Sequence, residues 1–192
     1  MALVQFPTLS TQFERRITSF SIDPWNPGQE VKRNRVTGAV SVFDRFPGLW
    51  RGVHRIGETN DEGDAQDIES WILSLDGARN WTNLPLLRST IPNDLTITAV
   101  DVSLQRATVR GSLTGVRQGF FCSVGGRLMG IRAITGGNTL TLWPYVPSLL
   151  PVGATIAPAM TILARRREGT GISFPAQPQI YGPWTFEWEE KV

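Results

Sequence analysis

The chain has 192 residues, 41% of them hydrophobic, with a formal net charge of +2 and a single cysteine. That length and apolar content can bury a sizeable core in one domain, or in one domain with a small subdomain, and they argue against a disordered chain. The charge is too small to point to a polyanion partner by itself, the lone Cys122 excludes an internal disulfide, and no run of about 18 apolar residues is present to cross a bilayer.

The first residues lack a basic stretch followed by an apolar one, so the expectation is a soluble protein made without export. Cys122 lies between Phe121 and Ser123 in an apolar run and reads as a small buried hydrophobe suited to a reducing cytoplasm. Apart from Lys32 and Lys191 every basic residue is arginine. With seven tryptophans, this fits a surface made for protein partners, although a GC-rich genome produces the same bias.

From the N-terminus to residue 56, Pro and Gly punctuate short β-prone segments at 17–22, 36–43 and 50–56, with turn clusters at 23–28 and 47–48. One helix follows, over 64–75. Ala65, Ile68, Trp71, Ile72 and Leu75 share one arc, with Gln66, Asp67, Ser70 and Ser74 opposite. Asp64 is placed to cap it, Asp67 and Glu69 add negative charge near its start, and Gly77 suits a left-handed exit. Leu73 falls off the arc, beside Glu69 and Gln66 on the side that should meet water.

Residues 79–86 read as a turn into a strand. Val100, Val102 and Leu104 alternate with Asp101 and Ser103, as in a half-buried strand. Gly125-Gly126 joins the β runs 119–124 and 127–134 as a tight hairpin, and residues 135–138 turn into a further strand at 139–143. One more strand is expected at 160–164. Residues 111–166 thus form a small β meander or barrel of their own, and 1–110 with 167–192 form the main body. The last strand, 184–189, alternates Trp184, Phe186 and Trp188 with polar residues; such a strand must be paired in the main sheet or covered by a neighbouring subunit. The fold class expected is mainly β, a sandwich or barrel flanked by one helix, with a smaller inserted β unit.

Chemistry has few candidates. His54 is the one histidine, and neither CxxC nor HExxH is present, so it reads as a packed or rim residue and no metal site is expected. The carboxylates Glu58, Asp61, Glu62, Asp64, Asp67 and Glu69 lack the ligand spacing of a calcium loop, and their place before and within a helix accounts for their charge. There is no GxSxG elbow and no phosphate loop; no catalytic residue or cofactor is expected. Arg165-Arg166-Arg167 with the aromatics leaves a single-stranded nucleic-acid-binding barrel as the least favoured reading, since acids nearly cancel the arginines.

The order Trp50-Arg51-Gly52, a helix with Trp71 and Leu75-Asp76-Gly77, then Asn80 and Leu84-Pro85, resembles minor tail proteins of tailed bacteriophages. The stretch 120–128, followed by Gly137-Asn138-Thr139-Leu140-Thr141-Leu142-Trp143-Pro144, is similar to a segment of that family, with Tyr145-Val146-Pro147 in place of its proline-rich basic ending. The aromatic strand 184–189 is similar to the family's last strand. The resemblance implies a virion protein of the tail, a distal tail or baseplate hub subunit, assembled in the host bacterial cytoplasm into a homo-oligomeric, hexameric ring. Its partners would be the tail tube protein, a tip hub or receptor-binding proteins, with no membrane and no specific nucleic acid. A tube or other connector subunit is the alternative, and no enzyme activity is implied. In a ring, Leu73, Trp184, Phe186 and Trp188 are candidate contacts between neighbours.

Overall fold

The computed structural model describes residues 2–6, 17–25, 29–33, 40–44, 48–75, 79–144, 146–171, 174, 176–177 and 180–190. In chain order these form strands β1 (Leu3–Val4), β2 (Ile17–Trp25), β3 (Gln29–Arg33), β4 (Val40–Asp44) and β5 (Leu49–Ile56), then the helix α1 (Glu62–Ser74). After it come β6 (Trp81–Pro85), β7 (Leu95–Asp101), β8 (Arg106–Arg110), β9 (Phe121–Val124), β10 (Arg127–Thr135), β11 (Thr139–Trp143), β12 (Thr155–Pro158) and β13 (Thr161–Arg166). β14 (Ala176–Gln177), β15 (Ile180–Tyr181) and β16 (Trp184–Glu190) complete the set. The protein is mainly β with one α-helix among the described residues, the class expected from the alternating patterns. Asp23-Pro24-Trp25, read above as turn, ends β2 instead.

Two compact units divide the chain. The first comprises Met1–Asp23, Trp50–Pro85 and Thr161–Val192; the second comprises Pro24–Leu49 and Leu86–Met160.

The first unit is built on a six-stranded sheet in the order β1-β6-β13-β16-β5-β2. β16 lies inside this sheet, antiparallel to both β13 and β5, so neither of its edges is left bare. Trp184, Phe186 and Trp188 are each 0% exposed. α1 packs on their side: the Trp71 ring lies 5.1 Å from that of Phe186 and meets Phe6 edge-on at 4.7 Å. Burial of Ala65, Ile68, Trp71, Ile72 and Leu75 matches the apolar arc of the helix.

The helix starts earlier than its apolar pattern suggests. Asp61, not Asp64, is the cap: its Oδ1 accepts from the amides of Gly63 (2.8 Å) and Asp64 (3.2 Å), which leaves Glu62 and Asp64 as the acids of the first turn. A cap precedes the first apolar residue by whatever distance the backbone needs, and here Glu62, Gly63 and Asp64, nearly a full turn, intervene before Ala65. At the other end Leu75 is the cap, in right-handed conformation; Gly77 lies outside the described residues.

The second unit contains a closed antiparallel barrel in the order β10-β11-β8-β7-β12-β9. Ile97, Ala107, Val109, Cys122, Val124, Met129, Ile131, Leu140, Leu142 and Ile156 fill it. Closure gives every strand two neighbours and leaves no edge to protect. β3 and β4 pair as a separate antiparallel hairpin.

Pairing moves the unit boundaries from those expected. β7 and β8, assigned above to the main body, are barrel strands, and β13, assigned to the small unit, pairs with β6 and β16 of the open sheet. The chain leaves the first unit after Pro85 and re-enters at Thr161, and these two residues are register partners. A second correction concerns the strand expected through Val100, Val102 and Leu104. β7 stops at Asp101, whose Oδ1 accepts from the Ser103 hydroxyl (2.6 Å) and the Leu104 amide (3.1 Å), and Gln105 takes a positive φ of 54°. An Asp side chain that folds back onto the backbone two and three residues on makes a turn, so Val102 and Leu104 stand exposed at its tip.

Candidate functional site

The residues that resemble a tail-protein pattern sit at the joints of the fold. Trp71 donates its indole Nε1–H to Thr82 Oγ1 on β6 (3.2 Å), which fixes the helix against the sheet through a bond buried from water. Leu75 is fully buried beneath the end of α1. Asn80 joins three segments: its amide nitrogen donates to Ser74 O (2.9 Å), its backbone N–H donates to Leu75 O (3.1 Å), and its Oδ1 accepts from the Ala2 amide (3.0 Å). It therefore satisfies carbonyls that a helix end leaves open and holds the start of β1 alongside β6. Trp50 is buried, and its N–H donates to Glu190 Oε2 (3.3 Å). Leu142 is in the barrel core, Trp143 is half-buried and Pro144 is buried. Between Trp50 and His54, Gly52 packs where a side chain cannot. A Cβ there would lie 2.2 Å from Ser21 O and 2.5 Å from the Trp188 ring, so the glycine is required by close approach rather than by its dihedral angles.

His54 is 1% exposed. Its Nδ1 accepts from Trp188 Nε1–H (2.8 Å), and its Nε2 faces Pro85 O at 3.0 Å. An indole nitrogen can only donate and a carbonyl can only accept, so the imidazole is neutral with its proton on Nε2. Phe20 stands edge-on to the ring at 4.7 Å. Burial drives the pKa down to about 4 against the opposing pull of Pro85 O. The one histidine is thus a bridge among β5, β16 and β6, not a proton carrier.

The Arg165-Arg166-Arg167 run is not a free basic tract. Arg165 binds Glu189 through Nη2 (2.7 Å) and Nε (2.8 Å) and lies 5.2 Å from the Trp81 ring. Arg51 reaches the other oxygen of Glu189 at 3.4 Å, Arg167 pairs with Glu187 at 3.4 Å, and Arg166 donates to Thr170 O. Arg51, Glu189 and Arg165 form a cross-strand row over β5, β16 and β13. The sequence carried half of this signal, because Glu187 and Glu189 alternate with the buried aromatics of β16. The arginines opposite them became readable only with the register.

Of the candidate interface residues, Trp184, Phe186 and Trp188 are core, which corrects their assignment to a contact between neighbours. Leu73 is 67% exposed. Cys122 is buried in the barrel, with Sγ 3.5 Å from Met129 O and its thiol pushed up to about 12 by burial. Among the described residues no group of three or more His, Cys, Asp or Glu side chains is placed to hold a metal ion, and no helix is long and apolar enough to cross a membrane. Comparison of the chain with models of known protein families and with curated protein sequences finds no match.

Proposed function

We propose that the chain is a structural subunit of a bacteriophage tail, a distal tail or baseplate hub protein that joins the tail tube to the tail tip as one copy of a homo-oligomeric ring. The observation that carries this reading is where the tail-protein-like residues fall: Trp71, Leu75 and Asn80 lock the helix to the sheet, Leu142 fills the barrel, and Trp184, Phe186 and Trp188 line the middle of the open sheet. Residues of that kind preserve shape. A ring subunit works by presenting the same surfaces at every position around an axis, so its function resides in a body that keeps its form and in exposed faces that meet neighbours.

The direct partners on this reading are other copies of the chain, the tube protein, and a tip hub or receptor-binding protein, in the virion after assembly in the bacterial cytoplasm. Gold-labelled antibody on purified particles tests it: label is expected at the end of the tail away from the head. Label along the tube would favour the tube or connector alternative, and particles without the protein would refute the proposal. Binding to single-stranded DNA that falls steeply with salt would restore the nucleic-acid reading, but the arginine run that motivated it is occupied by Glu187, Glu189 and Thr170.

A further inference from the structure

The two sides of the first unit's sheet carry opposite charge. α1 holds four carboxylates and no basic residue in Glu62–Ser74. Glu62, Gln66, Asp67, Ser70, Leu73 and Ser74 of α1 are exposed, and Leu73 is the large apolar side chain among them. Solvated helices commonly mix signs so that residues four apart can pair; this one does not. On the sheet's far side, the register aligns Arg51 and Arg55 of β5, Glu187 and Glu189 of β16, and Arg165 of β13, with Arg167 just beyond paired to Glu187. Four guanidinium groups share that face with two carboxylates. Half-buried Val53 has the same parity and lies between Arg51 and Arg55 on β5, while Leu163 and Trp81 share the parity beyond the Arg51–Glu189–Arg165 row.

Strand parity puts these surfaces on opposite sides of one sheet, because Trp71 of the helix packs on Phe186 while Glu187 and Glu189 point the other way. A surface complementary to a different surface of the same molecule cannot satisfy itself about a two-fold axis. It makes a head-to-tail contact that repeats from copy to copy. We propose that the outward face of α1 docks on the arginine-bearing face of the sheet in a second copy of this chain, with Leu73 against Val53 of β5 and the helix carboxylates meeting the exposed Arg55 beside it. The proposal deepens the ring reading by naming both halves of its contact.

The test uses the full chain and two variants at exposed positions, Leu73→Asp/Asp67→Arg on the helix side and Arg55→Glu on the sheet side. Wild type is expected to assemble in analytical ultracentrifugation, less strongly as salt rises. Each variant should keep the wild-type circular dichroism and melting curve yet associate at least about tenfold more weakly, because it places a repelled or desolvated charge in the contact. Mixed one to one, they should give a two-copy species that grows no further, since each supplies the face the other lacks. Wild type monomeric up to its solubility limit, variants that assemble normally, or a mixture that stays monomeric overturns the proposal. The tail reading fails separately. Head-to-tail assembly in solution with no label on particles would leave the contact standing without it, and label on tails with normally assembling variants would do the reverse.

Discussion

Lowering the pH from 7 should weaken the first unit through His54 before its carboxylates titrate. The imidazole has an ordinary pKa of 6.5 in the unfolded chain and about 4 in the folded one, because charging it would put a cation against Phe20 and Trp188 and turn Nδ1 from acceptor to donor opposite the indole N–H. The folded state therefore binds fewer protons than the unfolded state between these values. Stability is complete above pH 6.5 and is lost as pH falls towards 4, with a limiting slope of about 1.4 kcal/mol per pH unit and a total of about 3 kcal/mol. Against a typical stability of about 5–15 kcal/mol that is a substantial fraction. Asp101 is held below its usual range by the Ser103 hydroxyl and the Leu104 amide, so its linkage acts at lower pH and leaves the upper part of the window to His54. Urea unfolding at several pH values, with His54→Gln as control, measures the slope; the Gln amide still offers one donor and one acceptor. The slope above about pH 5 should disappear in the variant. A His54 proton resonance titrating near 6.5 in the folded protein, or the same slope in His54→Gln, would refute the reasoning.

Trp71→Ala should cost about 3–5 kcal/mol by emptying the space between Phe6 and Phe186. Trp71→Phe should cost less, about 1–3 kcal/mol, because it mainly leaves the fully buried Thr82 hydroxyl without its donor; chemical denaturation of both orders the two. Gly52→Ala should destabilise by at least about 1–3 kcal/mol, since the methyl group collides with Ser21 O and the Trp188 ring, and a melting point equal to wild type would show that the sheet gives way more easily than its packing suggests. Asn80→Ala should cost about 1–2 kcal/mol. It should also speed amide exchange at Trp81, whose N–H donates to Ala2 O, and unchanged exchange would mean that β1 is held by other contacts.

Local pattern was enough wherever one element sets its own geometry. The 3.6-residue spacing of Ala65, Ile68, Trp71, Ile72 and Leu75 located the helix and its buried side, and Gly125-Gly126, both at positive φ, marked the turn between β9 and β10. The period-two aromatics of β16 likewise identified a strand with one buried face. Pattern failed where the deciding partner was distant in sequence. Nothing within residues 95–110 says that β7 closes the barrel against β12 across more than fifty residues, and nothing within β16 says that β5 and β13 flank it or that Trp71 and His54 pack on its aromatic face, which turned Trp184, Phe186 and Trp188 from candidate contacts into core. His54 could be read as packed, but its tautomer and its bridge to Trp188 and Pro85 needed three strands in register. The Asp101 turn shows the opposite limit, a local hydrogen bond overriding the alternation of Val100, Val102 and Leu104. Sequence alone determined element type and buried face, because side-chain period is a property of the backbone conformation of one segment. Tertiary structure decided which elements are neighbours, and with that the charged row of Arg51, Glu189 and Arg165, because strand pairing is a choice among distant segments that no single segment encodes.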